Sequence, residues 1–383
     1  MVLGIDASNI RAGGGLTHLK QILNEADPSI HGFEKVVIWS NQQTLDVLPK
    51  KEWLVPQTHP YLNRSFLWSF AFQMLLLSKS ARVFNCSLLF APGSTFVSSF
   101  RPFVTISQNM LPFEFHEAFR FNKWRVRLRF LVLYLTQSYT FRRAAGLIFL
   151  TNYAKEAISS KINLNNPNSV IIPHGINMDF SNMPKVQLPI DSFSTVKPFR
   201  LLYVSIITAY KHQWNVAAAV LQLKLQGFPV AVDFIGPDSG ESFDKLRVYL
   251  DSADNNDGTL RYLGPVKYEE LAGFYKNADA FVFASSCENL PIILLEAMSA
   301  GLPVACSDKG PMPEVLGDAG IYFDPENIQS IFDALKELLE NAVLRDVISK
   351  KAYEKTINYT WKNCSGSTFE FLSAIAKKTH HEK

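Results

Sequence analysis

The chain has 383 residues, 47% hydrophobic and 19% charged, with a formal net charge of +3. Roughly 100–200 residues per domain makes this about two domains, and the composition excludes a disordered chain. No apolar run reaches bilayer-spanning length: the longest, residues 66–77, is broken by Ser69 and Gln73 and reads as a buried helix, with a membrane-docking helix as the alternative. The opening MVLGIDASN has no basic segment ahead of its apolar run and reads as a first strand, not a signal peptide. Cys86, Cys287, Cys306 and Cys364 lie far apart with no CxxC pair. That argues against a zinc site or disulfide framework and fits a reducing cytoplasm. The net charge hides an asymmetry. Residues 1–185 hold 19 Lys+Arg against 10 Asp+Glu, and the remainder holds 19 against 25. A polyanion or an anionic membrane surface would therefore meet the first half.

Short apolar runs at 2–5, 36–39, 88–90, 103–106, 147–150 and 170–172 read as buried strands. After them come 201–204, 230–235, 280–284, 304–305 and 320–322. Helix-length segments separate them: 16–24, 123–143, 214–226, 269–277 and 328–341. Strands that are apolar throughout, alternating with helices, are the pattern of a parallel sheet covered on both faces. The pattern occurs twice. Residues 181–199 lack periodicity, contain Pro184, Pro189 and Pro198, and read as a linker. The expectation is an α/β protein of two doubly wound, Rossmann-like domains, 1–180 and 200–360, facing across a cleft. Residues 361–383 would form a C-terminal helix, with a return to the first domain as one option. Ligands of such sheets bind at the carboxyl ends of the strands.

The most informative segment is 285–308, SSCENLPIILLEAMSAGLPVACSD. A strand ends near Ala284, a loop carries Glu288, Asn289, Leu290 and Pro291, and a helix follows. Pro291 fits the first helical turn, and Gly301 with Pro303 fits its termination. Amide groups of Asn289, Leu290 and Ile292, with the positive helix end, would make an anion site suited to a diphosphate. Glu288 and Glu296 flank it. Eight helical residues rise about 12 Å, too far for a pair of glycosidase carboxyls, which stand about 5–9.5 Å apart. The spacing fits the two ends of an extended ligand with a negative centre, such as a nucleotide sugar. Glu296 sits among Leu294, Leu295, Ala297 and Met298, where a carboxylate needs a partner or a ligand.

This segment resembles the Glu-x7-Glu signature of the large retaining glycosyltransferase family four, of the GT-B fold. YLGPVKYEELAGFYKNADAFVFASSCE before it, DKGPMPEVLGDAGIYFDPEN after it, VIIPHGIN at 170–177 and LLYVSIITAYKHQWN at 201–215 also resemble that family. The resemblance is dense from about residue 145 onward. It implies that Glu288 lies beside the donor sugar and that Glu296 holds the ribose hydroxyls. It further implies that Asn289 and Leu290 offer amides to the donor, and that Lys211 binds its phosphates. Gly14 and Gly15, in the run Gly13–Gly15 after the first strand, resemble the family's glycine loop.

The chain also departs from the family pattern. Ser205, Ile206 and Ile207 stand where many members carry an Arg. Gln108 or Asn109 stands where many carry a His after the strand ending near Ile106. His18 and His116 are weaker candidates for substrate contact.

No Asp-x-Asp pair occurs, so Lys211 and backbone dipoles, rather than a metal, are expected to stabilise the leaving diphosphate; no cofactor is expected. The resemblance implies a retaining hexosyltransferase of surface-polysaccharide type (O-antigen or capsule). Its donor would be GDP- or UDP-linked and its acceptor a glycan or a polyprenyl-diphosphate-linked sugar. The basic helix around 120–143 mixes Arg with Trp124, Phe130, Leu131 and Tyr134. It suits an anionic membrane surface, which would make the protein peripheral on the inner face, or equally a core-packed helix with a solvated arginine face. Other classes remain as alternatives: a nucleotide-sugar epimerase, a phosphorylase, or a nucleic-acid binder. The last is disfavoured by the acidic second half and the absence of a helix-turn-helix or RNP signature, so no nucleic-acid partner is expected.

Overall fold

The computed structural model describes residues 1–381 except 165, 239 and 253–257. The chain divides into two compact units. The first comprises Met1–Ala118, Asn122–Gly175 and the segment from Tyr359 onward; the second comprises Phe119–Phe121 and Ile176–Asn358.

The first unit holds a seven-stranded, wholly parallel sheet. Its strands are β1 (Val2–Asp6), β2 (Lys35–Trp39), β3 (Leu54–Gln57), β4 (Cys86–Ala91), β5 (Phe103–Ile106), β6 (Gly146–Phe149) and β7 (Ser169–Ile171). They run in the order β3-β2-β1-β4-β5-β6-β7. The second unit holds β8 (Phe199–Val204), β9 (Val230–Ile235), β10 (Leu260–Gly264), β11 (Ala280–Phe283), β12 (Val304–Ser307) and β13 (Ile321–Phe323). Their order is β10-β9-β8-β11-β12-β13, again all parallel. Each sheet therefore reverses direction once, between β1 and β4 and between β8 and β11. The doubly wound α/β class expected from the alternating pattern is present in both units.

The central strands are fully buried, as continuous apolar runs require: β5, β6, β9, β11 and β12 have no exposed residue. Sequence pattern misses two strands, β3 and β10, and both lie at a sheet edge. Pro56 removes a backbone donor from β3, which an edge tolerates. Strand β10 alternates Leu260, Arg261, Tyr262, Leu263, with Arg261 and Leu263 exposed, so it lacks the apolar run that marks a central strand.

The segment 181–199 belongs to the second unit and is bound to its core, contrary to its reading as a linker. Asn182 N–H donates to Ser299 O at 3.0 Å and Lys185 Nζ to Ala278 O at 2.8 Å. The buried Arg345 guanidinium donates to Leu188 O and to Gln187 Oε1. The boundary thus falls after Gly175, before the expected 180. The prolines mark a chain that follows a surface without sheet or helix, not one that leaves it. Helix Trp361–His381 packs in the first unit against helix Gly13–Glu25, where Ser365 Oγ donates to Ile22 O at 2.8 Å.

Candidate active site

The loops that leave β8 and β11 meet at the switch point of the second sheet, where a parallel sheet of this topology opens a crevice. The first runs from Ser205 to His212, before helix Gln213–Leu225. The second runs from Ala284 to Pro291, before helix Ile292–Ser299. Two features let them approach. Gly236, at the end of β9, has φ +142°, and a Cβ there would stand 2.1 Å from Ser205 O; only glycine fits. The buried Tyr203 hydroxyl on β8 donates to Lys211 O and accepts from Ala284 N–H at 3.2 Å, tying both loops to one strand. Ser286 N–H then donates to Tyr210 O at 2.8 Å, and His212 Nε2 lies 3.1 Å from Ser286 Oγ.

This stitching brings Lys211 and Glu288 together. Lys211 is buried, 4% exposed, and its ammonium pairs with Glu288 Oε1. The ammonium also lies 4.8 Å from the Phe283 ring centroid and 5.3 Å from that of Tyr210, so two aromatic faces help hold a desolvated cation. Ser285 Oγ donates to the same Glu288 oxygen at 2.7 Å. Burial, and then the nearby Glu288 charge, push the Tyr210 phenol well above its ordinary range, so it stays a neutral donor.

Glu296 occupies a different environment. It is 3% exposed on helix Ile292–Ser299. Tyr268 OH donates to its Oε1 at 3.0 Å and Tyr275 OH to its Oε2 at 3.2 Å. Phe180 packs against both tyrosine rings, at 5.2 and 5.4 Å between centroids. Burial raises the Glu296 carboxyl from 4.5 to about 7, against the lowering effect of the two phenol hydrogen bonds.

Three details differ from the sequence reading. The helix begins at Ile292 with Pro291 as its N-cap, so half of the Glu288–Glu296 interval is loop and the separation is not a helical rise. Ile292 N–H turns back to Leu290 O at 3.0 Å and is not an outward donor. Asn289 and Leu290 are buried in the turn beside Glu288. Gly301 does close the helix at φ +68°, where a Cβ would sit 2.7 Å from Asn182 O.

Gly14 and Gly15 belong to the first unit. They are not a loop but the first turn of helix Gly13–Glu25, at the carboxyl end of β1. A Cβ on Gly14 would meet nothing within 4 Å, whereas one on Gly15 would lie 3.3 Å from Gln108 Oε1. Of the two amides considered at the usual histidine position, Asn109 caps its own turn through Leu111 N–H at 3.1 Å. Gln108 faces the glycine turn and reaches His18 Nδ1 at 3.2 Å. His18 is fully buried and stacks on His174, with centroids 4.3 Å apart. Burial lowers His18 to about 4 and His174 further, so both imidazoles are neutral at physiological pH. His116 is largely exposed beside Glu117.

Residues 189–355 match the family model described as "Glycosyl transferases group 1". The match lies within the second unit and covers less than half of the chain. Among curated relatives, it is 36% identical over 112 residues to O-antigen chain mannosyltransferase B of Escherichia coli, covering 29% of each chain. It is 34% identical over 106 residues to sulfoquinovosyl transferase SQD2 of Arabidopsis thaliana, covering 26% of this chain and 21% of that one. The matched stretch thus spans less than a third of either relative. Two solved structures share the fold over nearly the whole chain. Anabaena Alr3699/HepE in complex with UDP has TM-score 0.69 at 17% identity, covering 97% of this chain and 99% of that one. WaaG, a glycosyltransferase involved in lipopolysaccharide biosynthesis, has TM-score 0.70 at 14% identity with the same coverage.

The second unit carries further candidate residues that the motif does not reveal. Tyr268 and Tyr275 stand seven apart on helix Tyr268–Asn277, two turns along one face. That spacing is visible in the sequence, but nothing there says the face meets Glu296. Ser285, Tyr203 and His212 have no spacing signal, because their roles come from two loops meeting in space.

Proposed function

We propose that the chain is a retaining, metal-independent glycosyltransferase that moves a hexose from a nucleoside-diphosphate sugar to a glycan or polyprenyl-diphosphate-linked acceptor. The observation that carries this reading is the buried Lys211–Glu288 pair at the β8/β11 switch point, beside the N-terminus of helix Ile292–Ser299. A buried cation and a helix N-terminus together favour a diphosphate. Lys211 would neutralise the charge that grows on the leaving phosphate oxygen. Glu288, held by Ser285 and Lys211 through Oε1, would accept hydroxyls of the donor sugar through Oε2. Glu296 would accept the ribose hydroxyls, and the amides of Asn289 and Leu290 would face the donor. Gly14 and Gly15, in the first turn of helix Gly13–Glu25, are also proposed as donor-binding residues.

In this mechanism the bond from the anomeric carbon to the phosphate oxygen breaks, and a bond to the acceptor oxygen forms on the same face. The acceptor's proton passes to a diphosphate oxygen, so the products are a glycoside and a nucleoside diphosphate. The similarity to a curated protein named for an O-antigen chain supports a surface-polysaccharide acceptor. UDP is the nucleotide in the Anabaena complex; UDP and GDP are both proposed as donors' carriers here. The enzyme would be cytoplasmic.

Glu288→Gln tests the assignment. It keeps the Ser285 hydrogen bond but removes the charge opposite Lys211. Turnover with the accepted donor should fall by about 10²-fold or more; the thermal transition should drop as well, because Lys211 keeps a buried charge without its anion, but the protein should still fold. Turnover equal to the parent's would remove Glu288 from the site.

A further inference from the structure

Two helices of the first unit are turned inside out. Helix Trp124–Arg143 buries Gln137, Ser138 and Thr140 with Phe141. To solvent it shows Trp124, Leu128, Leu131, Val132, Leu135 and Tyr139, three or four residues apart, so they form one apolar stripe. The second begins as Phe66–Phe72 and continues through a π turn, Gln73–Leu77, into Ser78–Val83. It buries Ser69 and Gln73 together with Phe72, Leu77 and Ala81, and exposes Phe66, Leu67, Trp68, Met74 and Leu75, with Leu67 77% exposed. The buried-helix reading of 66–77 therefore holds for one face only: Ser69, Phe72, Gln73 and Leu77 are inward, and five large apolar side chains are outward. An ordinary surface helix is arranged the other way. The two helices are neighbours, because their inward groups grip one loop. Gln73 Oε1 accepts from Val97 N–H at 3.4 Å, and Thr140 Oγ1 accepts from Phe96 N–H at 2.9 Å.

Both helices carry basic side chains and no acidic ones. No Asp or Glu occurs between Glu52 and Glu114 or between Glu117 and Glu156. Exposed aromatics carry arginines beside them: Arg64 at 4.9 Å from Trp68, Arg125 at 5.6 Å from Trp124 and Arg143 at 5.1 Å from Tyr139. Arg120, by contrast, belongs to the second unit and pairs with Glu326. No helix among the described residues is long and apolar enough to cross a membrane.

We propose that these two helices seat the first unit in the interface of an anionic lipid bilayer, apolar stripes among the acyl chains and arginines among the headgroups. A helix lying in the interface has this composition: an apolar face with Trp, and Lys/Arg beside it. Headgroup phosphates complement the acid-free surround, whereas a second copy of the same face would bring like charges together. The inference stands apart from the transfer chemistry and is read without an activity assay.

The test is cosedimentation with vesicles of phosphatidylglycerol and phosphatidylcholine against phosphatidylcholine alone. The parent should bind the anionic vesicles at least about tenfold more tightly, and more weakly as salt rises. Arg125→Gln with Arg129→Gln should weaken that binding by about 30-fold, since each basic residue near an anionic leaflet contributes about a factor of five. Leu128→Ser with Leu131→Ser and Leu135→Ser should weaken it by at least about tenfold and leave the steepness of its salt dependence unchanged. Because the altered side chains are exposed, the thermal transition should hold. Leu67→Ser with Leu75→Ser provides an independent variant on the second helix, with the same expected loss. Failure of the parent to bind anionic vesicles, or binding equal in parent and all variants, would overturn the proposal. So would a dimer in sedimentation equilibrium that the leucine variants dissolve in the absence of vesicle binding, since that would assign the face to a second copy.

Discussion

Lys211→Ala is expected to slow sugar transfer by about 10²–10³-fold, the loss typical of one charge-stabilising group at a developing anion. No arginine precedes the lysine in its loop. Ser205, Ile206 and Ile207 occupy the stretch before it, and Ile206 is exposed while Ile207 is buried. The substitution also leaves Glu288 without its cation, in a site where its side chain is 17% exposed. Breaking such a pair from one side costs about 3–5 kcal/mol when fully buried, so some stability should be lost as well. The double variant Lys211→Ala with Glu288→Gln separates the two effects. It should recover much of the thermal stability, because no unpaired charge remains, and recover none of the transfer rate. Recovery of both would mean that Lys211 acts only as a counter-ion for Glu288. Lys211→Arg should restore little, because the guanidinium fork is broader than the ammonium held between Phe283 and Tyr210.

Glu296→Gln is expected to make the protein more stable in a pH-dependent way while weakening the donor's hold. The folded state keeps the Glu296 proton up to about 7, whereas the unfolded chain releases it near 4.5. Between those values the folded state binds more protons, so this group's contribution falls as pH rises and reaches its floor above about 7. The interval corresponds to about 3 kcal/mol, an upper bound, since glutamine would meet one of the two tyrosine hydroxyls with an amide donor. The variant should therefore match the parent near pH 4.5, gain on it through pH 7, and hold the advantage at pH 8. Urea unfolding at those pH values measures it. A constant difference across the range would show that Glu296 is ionised throughout. The donor KM of the variant should rise by about tenfold with kcat less affected, the pattern of a lost ground-state contact.

The sheets were legible where the residues are buried on both faces. Strands such as Gly146–Phe149 and Ala280–Phe283 are apolar from end to end, and their positions follow from that run alone. Leu54–Gln57 and Leu260–Gly264 escaped because an edge strand needs neither a full apolar run nor every backbone donor. Two helices show the opposite limit. An apolar stretch such as 66–77 carries the same pattern whether it faces a core or something outside the chain, and only the inward placement of Ser69 and Gln73 decides. The acidic ends of the candidate site could be read from Glu288 and Glu296. Their different chemistry could not. Glu288 meets a lysine delivered from 77 residues away, and Glu296 meets two phenols from a helix that precedes it. Gly13–Gly15 read as a glycine loop after the first strand, since three glycines are poor helix formers. In the fold they are the helix start, where amides without a partner are wanted.

The central claim is that the β8/β11 switch point holds a nucleoside diphosphate through Lys211 without a metal. Isothermal titration of UDP and GDP into the parent protein in EDTA tests it directly, with Lys211→Ala as the control. One of the two nucleotides should bind in EDTA, and its affinity should fall by at least about tenfold in the variant. Failure of both to bind until Mg²⁺ or Mn²⁺ is added, or equal binding by parent and variant, would contradict the account.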